Sequence, residues 1–275
     1  MFDLHVHSAP DVVERALDDF ETVAAYQDAG YEGCVLKCHN EPTGGRARMV
    51  AKHTGFPVYG SVVLNRAVGG INPVAVAVEL DLGARVVWMP TEDSGLHRRA
   101  QLPRGSMGHR IVVAAPPVHS GLRSPDARGS MAEVLQLVAD ADAVLATGHL
   151  AADEIAWVLA EAARFGVTRT LLTHPSWTVP GLTCGQIAEL AELGAKVEIT
   201  AYQLYRQPAM TPSRLAEVAR SAGDQLVLSS DAGHPSLPPP PAALARLVEV
   251  LAGEGLDRGW LQAAASSVPS RLVVR

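Results

Sequence analysis

Residues 143–174 read AVLATGHLAADEIAWVLAEAARFGVTRTLLTH, and their pattern decides the fold. A five-residue apolar run, 143–147, gives way to Gly148 and His149. Ile155, Val158, Leu159 and Ala162 then recur at the spacing of an amphipathic helix, up to Gly166. A second short run, RTLLT at 169–173, ends on His174. Short runs without polar alternation suit strands buried on both faces, the habit of parallel sheets. Glycine just past the last periodic residue supplies the positive φ at which helices stop. The segment is one strand–helix–strand unit with a histidine at the end of each strand.

The same unit recurs outward in both directions. Gly30, Gly55, Gly83, Gly194 and Gly223 stand as Gly166 does, about 24–29 residues apart except between Gly83 and Gly166. The helix before Gly30 sets Leu17, Phe20, Val23 and Ala24 against Asp18, Asp19 and Glu21. Predicted strands are FDLHV at 2–6, CVLK at 34–37, VYGSVVL at 58–64, RVVWM at 85–89, AVLAT at 143–147, RTLLT at 169–173, KVEIT at 196–200 and QLVLS at 225–229. Eight such units in a chain of 275 residues predict one α/β domain over residues 1–275, folded as a (β/α)8 TIM barrel. An open doubly wound sheet is the alternative. The stretch from Glu92 to Arg128 is too long for one loop and reads as an insertion after strand 4, with IVVAA at 111–115 as a hairpin or extra strand.

Composition narrows the function. Hydrophobic residues make up 48%, charged residues 19%, and the mean hydropathy is +0.11, enough for a packed core and too little charge for disorder. The net charge of −6 and the lack of a basic run argue against nucleic-acid or membrane partners. Cys34, Cys38 and Cys184 form no CxxC pair, so a disulfide framework is not expected and the cysteines read as apolar fillers. The start, MFDLHVHSAPD, lacks the basic segment of a signal peptide, and a cytoplasmic location is expected. A small-molecule substrate is the expected partner, with homo-oligomerisation left open.

Ten histidines are the unusual feature. In a barrel of this kind the site lies at the C-terminal ends of the strands. Strand 1 ends in His5-Val6-His7, strand 2 in Lys37-Cys38-His39, strand 5 in His149 and strand 6 in His174, while strand 7 carries Glu198 and strand 8 leads to Asp231. His5 and His7, two apart on a strand, point to the same side. A lone histidine at a strand end is ordinarily a hydrogen-bonded core residue, and Asp231 alone would pass for a helix cap. Their gathering on one edge predicts a divalent-metal site, with zinc foremost and manganese, iron or nickel as alternatives.

The constellation resembles the amidohydrolase superfamily, whose members carry HxH on strand 1, histidines after strands 5 and 6 and an aspartate after strand 8. His5, His7, His149, His174 and Asp231 stand in that order, and the resemblance implies a (β/α)8 barrel with one or two metals. Stretches such as DLHVHSAPD, VLKCHNEPT and GGINP point to a small branch of that superfamily. Many members bridge two metals with a carbamylated lysine after strand 4, but here strand 4 ends WMPTE. Lys37 from strand 2, favoured, or Glu92 as a carboxylate bridge are the two candidates; failing both, a single metal is expected. Lys37 in a buried strand must be paired, neutralised or carbamylated.

Loops after strands 3 and 7 offer Arg66, Tyr202 and Arg206 for substrate, the arginines to clamp a carboxylate, and Glu198 is a further substrate-facing candidate. His53 is expected in a helix, His97, His109 and His119 on the surface of the insertion, and His234 in a turn close to the site. The leading function is a metal-dependent hydrolase acting on a C–N bond (amide, cyclic amide or imine) or a lactone. Asp231 would move the proton, and His174 or His39 would steady the oxyanion. The alternatives are a phosphoesterase of the polymerase-and-histidinol-phosphatase type, a related decarboxylase, and a metal-binding barrel without turnover. SSDAGH has one residue too many for the aspartate–x–histidine ending of those phosphoesterases.

Overall fold

The computed structural model describes residues 1–102, 116–121 and 124–274. Nine strands appear among them: β1 (Phe2–Val6), β2 (Gly33–Leu36), β3 (Val58–Tyr59), β4 (Ser61–Val63), β5 (Val86–Trp88), β6 (Val144–Ala146), β7 (Thr170–Leu172), β8 (Lys196–Thr200) and β9 (Leu226–Ser229). Every pair is parallel, and helices fill the connections, so the chain is a mixed α/β fold with its sheets covered by helices. The six punctuating glycines fall at or just past helix ends, all at positive φ.

The pairing gives two sheets, β1-β2-β3 and β4 through β9, rather than one continuous eight-strand ladder. The strand expected over 58–64 breaks at Gly60, and the reason is local. Thr43 takes the place of a strand partner: its N–H donates to Ser61 O (2.9 Å), and its Oγ1 accepts from Ser61 N (2.8 Å). Gly60 lies so close to Gly44 that a Cβ there would run into the Gly44 backbone. At the other edge β1 meets the end of β9 through a parallel bridge, Val6 with Ala232. Asp231 N donates to His5 O and His7 N to Ala232 O, both at 2.8 Å. The Asp3 carboxylate stands in for a backbone acceptor by receiving Ser230 N at 3.0 Å.

Period-two alternation sorts the strands into two cores. Val86 and Trp88 of β5 join a cluster with Phe2, Leu4, Val35, Val63, Val144 and Val227, packed on Leu272 and Val273 of the last helix. Val87, between them, joins the larger cluster under the surrounding helices. In the helix Asp19–Asp28, Val23 and Tyr26 are buried, whereas Phe20, expected on the buried face, is exposed. Within the insertion a short helix spans Gly95–Arg99 and Ser94 bridges to Val118. The next long helix already starts at Pro125, short of the expected limit at Arg128. The strand expected at 111–115, and His109, lie outside the described residues. No described helix is long and apolar enough to cross a membrane.

Candidate metal centre

The ends of the strands converge on a cavity of about 90 Å³ walled by His7, Lys37, His39, Glu92, His149, His174 and Asp231. Among the described residues, His5, His7 and Asp231 offer ligand atoms that all lie within 4.8 Å of one another. Asp231 Oδ1 is 3.0 Å from His5 Nε2 and 3.2 Å from His7 Nε2, and its Oδ2 is 4.0 Å from His174 Nε2. His174 and Asp231 hold φ at +25° and +48°. Such backbone costs about 1–3 kcal/mol at a non-glycine residue unless its surroundings fix it. Here His174 N donates to Glu198 Oε2 (3.1 Å) and Asp231 N to His5 O (2.8 Å). Gly233, at φ +140°, brings the next turn against the carbonyl of His7 so closely that a Cβ would overlap it.

Glu198 does not reach the cavity. It is fully buried behind His5, whose Nδ1 contacts Glu198 Oε1 at 3.1 Å. Burial alone would raise the Glu198 carboxyl, but the His5 ring outweighs it and holds the group below the usual range. A proton on Nδ1 toward Glu198 leaves His5 Nε2 as a lone pair. That nitrogen lies 2.9 Å from Lys37 Nζ and 3.0 Å from Asp231 Oδ1, an acceptor, so while Lys37 is an ammonium one of the two contacts is mismatched.

Lys37 is buried over the Trp88 ring, 4.6 Å from its centroid. Burial pulls its ammonium down, against the pull of Asp231, Glu198 and Glu92. Glu92 is buried on the cavity wall with neither oxygen hydrogen-bonded among the described residues, and burial pushes it up to about 7. Burial also lowers His7 to about 3, helped by the Arg15 guanidinium, and His174 to about 4. It drives His39 and His149 well below the usual range, so all four rings are neutral. Burial opposes ionisation of Asp231, yet His5, His7 and His174 together hold it well below the ordinary carboxyl value.

A relay fixes the His39 ring. Asn65 Oδ1 accepts Thr91 N (2.9 Å), which makes Asn65 Nδ2 the donor to Thr91 Oγ1 (2.8 Å). The Thr91 hydroxyl is then free to donate to His39 Nδ1 at 2.8 Å, and in that arrangement the ring proton is on Nε2. His39 also stacks on His7, with centroids 5.1 Å apart.

Of the other expected residues, Tyr202 lines the cavity. Arg206 is exposed at its edge, donating to His234 Nδ1 (3.2 Å) and to Ser236 Oγ. Arg66 is not brought to the cluster; it lines a separate cleft with Gly69, Gly70 and Val118. His97, expected on the surface, is buried, with its Nδ1 2.8 Å from His149 Nδ1. His53 lies in the helix Gly44–Thr54 and His119 is exposed, both as expected, and His234 lines the cavity. The cavity also takes Arg15 and Trp177. Arg15 follows strand 1 in the loop SAPDVVER, where the rule that loops at strand C-termini line the site would have found it. Trp177 stands three residues after His174, within reach of the same rule.

This fold and its histidine-lined cavity define the architectural class. The chain superposes on a solved amidohydrolase II at TM-score 0.61 and 13% identity, over 100% of this chain and 99% of the other. An amidohydrolase from Pseudomonas aeruginosa gives TM-score 0.63 at 11% identity, over 98% and 95%. A 2,6-dihydroxybenzoate decarboxylase, solved with 2,6-dihydroxybenzoate, gives 0.57 at 11%, over 99% and 98%. The chain thus shares its fold with these two amidohydrolases and this decarboxylase. In sequence, residues 1–198 match the family of unknown function DUF6282, and the chain belongs to that family. No curated protein matches it in sequence.

Proposed function

We propose that the chain is a metal-dependent hydrolase whose two sheets act as one (β/α)8 barrel around one or two divalent cations, zinc foremost. The observation that carries this reading is the convergence of His5, His7 and Asp231 within 4.8 Å at the strand ends. The residues fit a cation: the rings of His7, His149 and His174 are neutral, Asp231 is ionised, and the buried Glu92 carboxylate has no hydrogen-bond partner. Charge placed beside His5 Nε2 and Asp231 would also resolve the mismatched contact there. His5, His7 and Asp231 would hold it, joined by His149 and His174, with Lys37 or Glu92 completing a second site. Glu198 would act from behind, fixing the His5 ring as carboxylates do for metal-ligating histidines.

A bound divalent cation acidifies a water molecule and polarises a carbonyl. Asp231 takes the proton of the attacking water and returns it to the leaving nitrogen or oxygen. His39 is set up as an Nε2–H donor by Thr91 and Asn65, and it or His174 steadies the developing oxyanion. Tyr202 and Arg206 meet the substrate at the cavity edge. Amides, cyclic amides and lactones are the favoured substrates.

The test is metal content per chain in protein purified without chelator, followed by turnover on amide, lactone, carboxylate-loss and phosphomonoester panels. Stoichiometric metal in the wild type, lost in the His5→Ala/His7→Ala variant while the fold is kept, together with amide or lactone cleavage, is expected. Metal-free protein after growth with added zinc or manganese overturns the metal site. Phosphomonoester cleavage alone, or decarboxylation alone, overturns the hydrolytic assignment.

A further inference from the structure

The cavity holds a cation that the proposed chemistry leaves unused. Arg15 rises from the loop between β1 and the first helix, and its side chain is only 7% exposed. Asp11 holds it from behind: Nε donates to Asp11 Oδ2 at 2.8 Å and Nη2 lies 2.6 Å from the same oxygen. Asp11 Oδ1 meanwhile receives Val13 N at 3.3 Å. The loop is anchored by a second arginine. Arg46 donates to Pro10 O (2.8 Å) and Ser8 O (3.1 Å) while paired with Asp19 at 2.7 Å. Arg15 is therefore positioned before any ligand arrives, which lowers the ordering cost of binding.

Its donors are only partly taken. Nη2 reaches His7 Nδ1 at 3.3 Å, and Nη1 has no hydrogen-bond partner among the described residues. Guanidinium is an obligate donor, so His7 Nδ1 accepts this bond only while its ring proton sits on Nε2. Were His7 to hold a cation through Nε2, that proton would pass to Nδ1 and the Arg15 donor would be released as well. Glu92, on the same wall, feels the Arg15 charge, yet no hydrogen bond joins the two. The result is a fork of donors facing a small cavity whose imidazoles are neutral.

We propose that Arg15 is the specificity-determining residue for a substrate carboxylate, so that this site takes small carboxylate-bearing molecules. The inference rests on the function proposed above and adds the substrate's chemical class to it. It moves the carboxylate clamp from Arg66, which lies in another cleft, to a residue inside the cavity. Planar, bidentate recognition of a carboxylate is the task arginine performs better than lysine.

The probes are acetate and benzoate, each set beside its neutral amide, titrated calorimetrically into protein loaded with zinc or manganese and assayed for metal on the same sample. Wild type is expected to prefer each acid to its amide, and Arg15→Gln to lower acid affinity roughly 10- to 100-fold with amide affinity and metal content unchanged. Removing Arg15 alone strands the buried Asp11 carboxylate. The double variant Asp11→Asn/Arg15→Gln therefore provides the same test with a neutral pair, and Arg15→Lys should recover only part of the preference. Acid affinity within twofold of wild type in the folded double variant overturns the proposal, as does a wild type that fails to prefer the acids. Protein that takes up no metal overturns the function beneath it. Full metal with no Arg15-dependent preference overturns the carboxylate site alone.

Discussion

Replacing Glu92 by glutamine should change the pH dependence of stability in a way that follows from burial. Glu92 is 3% exposed, neither oxygen has a hydrogen-bond partner among the described residues, and its carboxyl is pushed up to about 7 from an ordinary 4.5. Between those two values the folded chain keeps a proton that the unfolded chain has released. Stability from this group is therefore fully present below about pH 4.5 and falls as pH rises, by about 1.4 kcal/mol per pH unit, until about pH 7. The total is about 3 kcal/mol. Glutamine does not titrate, so metal-depleted Glu92→Gln should match the wild type near pH 4.5 and exceed it by about 3 kcal/mol at about pH 8. Urea denaturation of both chelator-treated proteins across that range measures the difference, in which the titrating groups not coupled to Glu92 cancel. A difference that stays flat with pH would refute the reasoning. With metal added the order should reverse, because an ionised carboxylate gains from a cation that glutamine attracts only weakly.

Two further outcomes are expected. Glu198→Gln places an amide N–H against either the His5 ring or the His174 backbone N–H, and metal affinity measured by chelator competition should fall roughly 10- to 100-fold; an unchanged affinity would remove Glu198 from support of the centre. Gly233→Ala forces a Cβ into the His7 carbonyl at φ +140° and should cost about 2–5 kcal/mol in chemical denaturation. A loss under about 0.5 kcal/mol, the range of ordinary surface changes, would show that the turn can relax.

Much of this was legible in the residues. Each of the eight strands predicted for the barrel appears within a few residues of its place, the one over 58–64 in two pieces, because apolar runs stopped by helix-ending glycines leave little else to form. His5, His7 and Asp231 could be grouped from strand ends alone. What escaped depends on contacts between segments remote in sequence. The break at Gly60 arises because Thr43 inserts into the ladder, and nothing in VYGSVVL announces that. Glu198 read as a cavity residue because it lies on a strand near the site edge, yet the His5 ring stands in front of it. His97 looked like a surface residue because it lies in an insertion, but its partner, His149, comes from a different strand. Arg66 and Arg15 both follow strands, and only the packing of their loops decides which one enters the cavity.

The seam between β1 and the end of β9 has a consequence for how the protein is made. Ser230 Oγ donates to His5 O across 225 residues of sequence, and Asp231 follows immediately. During synthesis the first strand leaves the ribosome with its histidines ready, while the aspartate that would complete the proposed ligand set emerges only after most of the remaining chain. At about 5–20 residues per second that interval is on the order of tens of seconds. Until then His5 and His7 are two exposed imidazoles able to capture stray metal without the carboxylate that would hold it in place. On the proposed ligand set, metal acquisition by the complete site is thus tied to the closing steps of folding, when the end of β9 meets β1.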